Sequence, residues 1–221
     1  MAIYSRDDFA QGFVLTPNRH GIYRSGFKRF CDVMFVLIVA LPVSLVIALL
    51  ALLISLDGSA PFYRQERIGK NGKRFYMLKL RSMVPNAERE LEELLKRNPK
   101  ARMEWEDKQK LTDDPRITRL GRIIRKTSMD ELPQFFNVLM GDMSVVGPRP
   151  MMPEQATLYP GAAYYALRPG ITGFWQISER NECSFAERAI HDSHYDRALS
   201  LRTDLKIILR TVAVVTAATG R

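Results

Sequence analysis

The longest uninterrupted apolar stretch runs from Val33 to Leu56, VMFVLIVALPVSLVIALLALLISL, 24 residues with no charge. That is long enough for a helix to cross the hydrocarbon core of a bilayer. It begins too late and runs too long for a cleaved signal peptide, and no small-residue cleavage site follows. It predicts a permanent membrane anchor. Pro42 divides it, and proline removes one helical hydrogen bond and kinks a helix. Both flanks are basic: Arg19, Arg24, Lys28 and Arg29 before it, then Arg64, Arg67, Lys70, Lys73, Arg74, Lys79 and Arg81 after it. Positive residues mark the cytoplasmic side, and here both flanks claim it. A helix that enters, bends at Pro42 and returns satisfies both flanks. A Pro-kinked straight span is the competing expectation.

Beyond the anchor the periodicity shortens. PFYRQ and RFYMLKL are strand-like, and Asn71-Gly72 between them signals a hairpin turn. Pro85 opens a helix through AERELEELLKR, with Leu91, Leu94 and Leu95 on one face and Asn98-Pro99 as the stop. RITRLGRIIRK carries Arg116, Arg119, Arg122 and Arg125 at three-residue spacing, a basic stripe at helical pitch. LPQFFNVLMGD predicts a short helix ending at Gly141. MSVVGPRP is too proline-rich to stay helical, LRPGITG predicts a turn and FWQIS a short strand. SFAERAIHDSHYDRALSL predicts a helix, and DLKIILRTVAVVTAATG a closing one with Leu205, Ile208, Leu209 and Val212 on one face. Such a face fits a membrane interface or ordinary packing equally. The expected organisation is a tail over 1–22, a re-entrant membrane segment over 23–57 and a catalytic domain over 58–221. The fold class is α+β, mostly helical, with a small β-hairpin and interfacial amphipathic helices.

Charge narrows the partners. The 221-residue chain has 33 Lys and Arg against 24 Asp and Glu, a net +9. A basic surface attracts nucleic acid, anionic lipid or phosphorylated small molecules, and charge alone does not choose. Two cysteines far apart, Cys31 and Cys183, make neither a disulfide framework nor a zinc site. Walker, GxSxG and zinc motifs are absent. His191, His194, Asp192 and Asp196 crowd one helical stretch without a recognised ligand pattern, and Trp105, Phe174 and Trp175 are expected as packing residues.

The chemistry concentrates at KTSMDELPQFFN, where Asp130 and Glu131 adjoin. Locally the pair is explained as a capping box, with Ser128 as N-cap and Glu131 reaching back, at the positive end of a helix. Its surroundings add a second explanation. Arg125 precedes it, Arg149 is held between prolines in GPRP, and Lys79 and Arg81 leave the strand KLRSM. Arginine grips phosphate oxygens through paired donors. With anionic repulsion suppressed, one carboxylate attacks phosphorus while the other holds magnesium, which takes one or two carboxylates plus phosphate oxygens.

From about Phe27 to the end the sequence resembles the bacterial sugar transferases, the monotopic polyprenyl-phosphate phosphoglycosyl transferases. The segments that carry the resemblance are GFKRFCDV, the Pro-broken apolar run, PFYRQERIGKNGKRFYMLKLRSM, DPRITRLGRIIRKTSMDELPQFFNVLMGDMSVVGPRP, LRPGITGFWQIS and DLKIILRT. It looks most like the short branch that initiates exopolysaccharide repeat units. The resemblance implies transfer of a sugar 1-phosphate, galactose or glucose, from a UDP-sugar to undecaprenyl phosphate on the cytoplasmic face of the bacterial inner membrane. It implies Asp130 as nucleophile, a covalent phosphosugar intermediate, release of UMP, Glu131 on Mg2+, and substrate contacts from Lys79, Arg81, Arg125 and Arg149. Lipid is then a partner and nucleic acid is not; a homodimer is compatible and nothing in the sequence enforces it. Leu80 stands where the family usually has Phe, Met129 where Leu is common, and Leu41 precedes Pro42 where Ser sometimes does. QISERNE also departs from the pattern, so Glu179 and Arg180 carry no assigned role. The competing class is a non-catalytic, membrane-tethered binding protein for anionic lipid or a partner.

Overall fold

The computed structural model describes residues 21–108, 111–177 and 185–216. The expectations for the tail before residue 21, for Cys183 and for the loop with Glu179 and Arg180 lie outside them. The order is α1 (Lys28–Ser55), β1 (Phe62–Ile68), β2 (Arg74–Leu80), α2 (Ala87–Arg97), α3 (Pro99–Lys108), α4 (Arg119–Lys126), α5 (Gln134–Met140), β3 (Ser144–Val146), α6 (Ala163–Ala166), β4 (Gly170–Thr172), α7 (Phe174–Ile177), α8 (Arg188–Ala198) and α9 (Leu201–Thr216). This is the mostly helical α+β architecture expected.

The apolar run forms one helix. Residues on both sides of Pro42 stay helical, so the expected helix–break–helix is replaced by an uninterrupted α1 with the proline inside it. The proline costs the helix one N–H donor, which neighbouring helical bonds outweigh. At 1.5 Å per residue, α1 is about 42 Å long. Its mean hydropathy reaches 3.1 and only 17% of its most apolar window is buried. A core helix would be mostly buried, so α1 is not one.

One face of α1 nevertheless lies along the rest of the molecule at both ends. Near its start, Asp32 is buried and accepts from the Val145 N–H (3.1 Å) and the Ser144 hydroxyl (2.8 Å). Lys28 meets Asp204 of α9 at 2.6 Å, and Asp204 also accepts from Tyr23 and Tyr195. Arg29 donates to the Val138 and Leu139 carbonyls at the end of α5. Near its finish, Ile47, Leu50 and Ile54 pack with Leu80 and Ile124. Full burial of such a side chain is worth roughly 1.5–3 kcal/mol. The opposite stripe, including Leu37, Ile38, Leu41, Leu45, Leu49 and Leu52, is exposed.

β1 and β2 pair antiparallel, Phe62 opposite Leu80 through Ile68 opposite Arg74. Asn71 takes a positive φ in the turn, as its sequence signal implied. β3 and β4 pair in parallel as a short ladder, whereas the strand expected in this region was FWQIS. FWQI instead forms α7, because Gly170 to Thr172 just before it already occupy the ladder beside β3. Parallel strands so distant in sequence leave little periodic signal.

On α9, Ile207 is buried while Leu205, Leu209 and Val212 are exposed. Ile208, expected on the same face, packs instead against the main core cluster. Thr211 joins Thr172 of β4 at 2.7 Å, which sets the rotation of the helix.

Candidate active site

α4 delivers the acidic pair. Thr118 caps it, its hydroxyl accepting from the Gly121 N–H at 2.8 Å. Beyond Thr127 the chain passes through Ser128 at φ 57°, then a tight 3-10 turn over Met129–Glu131. The expected capping box is absent. Ser128 makes no side-chain cap, and it is its carbonyl that accepts from the Glu131 N–H at 3.2 Å. The left-handed backbone at Ser128 turns its side chain away from the N-cap position. A positive φ at a non-glycine residue is costly and concentrates at functional sites.

Asp130 is 7% exposed. Burial pushes its carboxyl above the usual range, Lys79 and Arg125 pull it down, and the Glu131 charge pushes it up. Lys79 Nζ lies 2.8 Å from Glu131 Oε1 and 3.9 Å from Asp130 Oδ2. Arg149 Nη2 lies 3.6 Å from the same Glu131 oxygen. Glu131 is thus held by two cations, while Asp130 sits beside them in a drier position.

Lys79 reaches the acids because α5 is stitched to β2. Asn137, fully buried, accepts from the Leu78 N–H (2.9 Å) and donates to the Tyr76 carbonyl (2.8 Å). Its amide does the work of an extra strand at the β2 edge. Arg149 is placed by close backbone crossings of GPRP and RPGITG. The Gly147 N–H donates to Thr172 O and the Gly170 N–H to Pro148 O, both at 2.8 Å. A Cβ on Gly170 would lie 2.1 Å from Gly147 N, and one on Gly173 2.1 Å from Gly147 O.

The sequence-derived candidates separate here. Lys79, Arg149, Asp130 and Glu131 converge, with Arg125 acting on Asp130 electrostatically. Arg81 does not join them. Its guanidinium bonds Asp57 (2.6 Å) and the Ile54 and Ala60 carbonyls, tying off the end of α1. β2 ends at Leu80, so the alternation that would put Arg81 on the face of Lys79 does not extend to it. Arg116 also leaves the basic stripe: it precedes α4, grips Asp114 through two bonds (2.8 and 2.6 Å) and packs on Trp105.

Sequence reasoning missed Arg67, Arg188 and the role of Trp175. Arg67 donates to the Pro150 carbonyl at 3.1 Å, and Arg188 lies 4.2 Å over the Trp175 ring. Arg149 lies 5.6 Å from the same ring, so Trp175 supports two arginines rather than only filling the core. An Arg188–Asp192 pair one helical turn apart was the available signal. The His191, His194, Asp192 and Asp196 stretch disperses: Asp192 accepts from Tyr159 (2.7 Å), Asp196 pairs with Arg24 (2.7 Å) and His194 packs on Phe174. Among the described residues no three His, Cys, Asp or Glu side chains form a metal group.

An apolar groove between α1 and α5, lined in part by Val43, Ile47, Phe135 and Leu139, lies beside the helix that follows the acidic turn. The apolar helix α1, the acidic turn and the cations around it therefore adjoin.

The family model described as bacterial sugar transferase matches residues 23–218. The exopolysaccharide production protein ExoY of Sinorhizobium fredii is 44% identical over 196 residues, covering 87% of each chain. The UDP-galactose-lipid carrier transferase of Erwinia amylovora is 47% identical over 171 residues, 76% of this chain and 36% of that protein. The undecaprenyl-phosphate galactose phosphotransferase of Salmonella typhimurium is 45% identical over 191 residues, 86% of this chain and 39% of that one. The chain thus matches little more than a third of these two longer relatives and most of the shorter one. The chain belongs to the bacterial sugar transferase family.

Proposed function

We propose that this chain moves a sugar 1-phosphate, with galactose or glucose as the sugar, from a UDP-sugar to undecaprenyl phosphate, the first membrane step of exopolysaccharide synthesis. The observation that carries the reading is a carboxylate, Asp130, 7% exposed and ringed by Lys79, Arg125 and, through Glu131, Arg149. The names of the relatives supply the substrate class.

In the first step an Asp130 oxygen attacks the sugar-bearing phosphorus. The bond from that phosphorus to the bridging oxygen breaks, and UMP leaves with the bond's electrons. An acyl phosphate is left on Asp130. In the second, a phosphate oxygen of the lipid attacks the same phosphorus, the Asp130 oxygen departs, and the sugar is left on a lipid diphosphate. Asp130 suits the nucleophile better than Glu131, because Glu131 is already engaged by Lys79 at 2.8 Å. Burial makes Asp130 more basic, and Lys79 and Arg125 favour its ionised form. Lys79, Arg125 and Arg149 supply positive charge where phosphate anions would otherwise repel the carboxylates.

Two adjacent carboxylates are hard oxygen donors, and the set fits magnesium, with Glu131 as its protein ligand and other positions left to phosphate and water. When bound, such an ion neutralises phosphate charge. The lipid's phosphate would approach from the α1 side, its chain following the groove between α1 and α5. We place the enzyme on the cytoplasmic face of the bacterial inner membrane, with both ends of α1 on that face because Asp32 and the Ile54 carbonyl tie them to the same body.

The test is intact mass after incubation with magnesium and a panel of UDP-sugars without lipid, beside Asp130→Asn. A hexose-phosphate adduct on the wild type alone, with UMP released, is expected. No adduct, and no UMP even after undecaprenyl phosphate is added, would favour the non-catalytic binding protein.

A further inference from the structure

Beyond Arg149 lies a cluster that the reaction as described does not use. Arg149 and Arg188 line one small cavity with Tyr159, Trp175, Phe185 and Asp192. Arg67 is nearby, bonded to the Pro150 carbonyl next to Arg149 and to Gln65 Oε1. Burial and the charge of Arg149 pull both Arg67 and Arg188 down to about 10. Two largely buried guanidinium groups therefore lie near a third, that of Arg149, whose side chain is 37% exposed.

Their compensation is incomplete. Glu131 faces Arg149 and acts on Arg67, but it is shared with Lys79. Asp192 is beside Arg188, yet its carboxylate already accepts from the Tyr159 hydroxyl at 2.7 Å, and burial pushes it up to about 7. Arg67 Nε and Arg188 Nε are buried with no hydrogen-bond partner among the described residues. Orphaned buried donors in a folded protein call for a partner, whether water, ion or ligand. Arg188 is also preorganised, its guanidinium 4.2 Å over Trp175 and 4.7 Å over Phe185.

We infer that Arg67, Arg149 and Arg188 form a cradle for a phosphate monoester dianion, and that its occupant is the nucleotide phosphate that leaves as UMP. Two substrates of the proposed reaction carry such phosphates. The nucleotide fits better because Met151, Tyr159 and Tyr164 of the cavity wall belong to a core cluster that contains no α1 residue. The other two core clusters both include α1 side chains. Arg149 then joins the two subsites, with Glu131 on one side and the cradle on the other. A leaving phosphate stabilised there makes the first step easier in the forward direction. The inference rests on the proposed reaction for its choice of nucleotide, and on the arginines alone for the dianion.

The experiment measures binding of UMP, uridine and inorganic phosphate to the full chain in nanodiscs, with no donor or acceptor present. Wild type is expected to bind UMP at least tenfold more tightly than uridine. Arg188→Gln is expected to weaken UMP by about 10–100-fold, the range for a charge-assisted hydrogen bond, while the KM for undecaprenyl phosphate stays within about twofold. Arg188→Lys keeps the charge but not the planar fork, so it should also weaken UMP, and it carries the comparison if the glutamine variant does not fold. Unchanged UMP affinity in folded variants overturns the cradle. A raised lipid KM with UMP affinity intact overturns the nucleotide assignment and gives the site to the acceptor. UMP binding lost in Arg188 variants of a protein that forms no adduct with any donor would sink the proposed reaction while leaving the dianion site standing.

Discussion

Asp130 combines burial, basicity and a cost. Its folded-state carboxyl titrates above its unfolded value. The folded state therefore binds more protons than the unfolded one between those two values, and stability falls as pH rises through that window. The part of stability tied to this group is complete below the unfolded value near 4 and lost once the folded carboxyl ionises. Replacing it by a neutral isostere should remove the loss. Asp130→Asn is expected to abolish adduct formation, by about 10^4-fold or more as for other enzyme nucleophiles, and to raise the unfolding midpoint at pH 7. Thermal unfolding of both proteins at pH 4 and pH 7 checks this; a lower midpoint for the variant at pH 7 would refute the account. At this scale the residue types announced the chemistry. Their local setting differs from the sequence pattern, because the chain takes a left-handed turn at Ser128 and no side-chain cap forms.

Elements position what residues supply. Lys79 on β2 and Glu131 before α5 are 52 positions apart in sequence, and Asn137 is what registers one against the other. Asn137→Ala would leave the Leu78 N–H and the Tyr76 carbonyl buried without partners. The expected loss is about 2–4 kcal/mol, from two unmet groups. A lowered unfolding midpoint and a slower first step are expected together, and a variant with wild-type stability would show the stitch to be idle. The hairpin, the α5 stop at Gly141 and the amphipathic α9 were legible because each rests on local rules. The β3–β4 ladder was not. Ser144 and Gly170 pair across the chain, and only small backbones can cross where Gly147, Gly170 and Gly173 meet.

For the whole molecule the question is how an apolar helix about 42 Å long meets a bilayer while its two ends hold the same body. Asp32 binds β3 near one end, and Arg81 grips the Ile54 carbonyl at the other. The proposed re-entrant placement requires both flanks on one side of the membrane, and two basic flanks support it. In a background without Cys31 and Cys183, Gly21→Cys and Ala60→Cys are both expected to react with a membrane-impermeant thiol reagent from the cytoplasmic side. Labelling from opposite sides would show a span and defeat the re-entrant reading.

The amino-acid sequence by itself determined the apolar segment, the β-hairpin, the acidic pair and the cationic chemistry around it, because these follow from residue type and short-range periodicity. Only the tertiary structure decided that α1 runs unbroken past Pro42, that Arg81 ties off that helix instead of joining the site, and that Arg67 and Arg188 gather near Arg149. The reason is physical. Convergence depends on packing between segments far apart in the chain, and no local pattern records which of several arginines that packing will bring together.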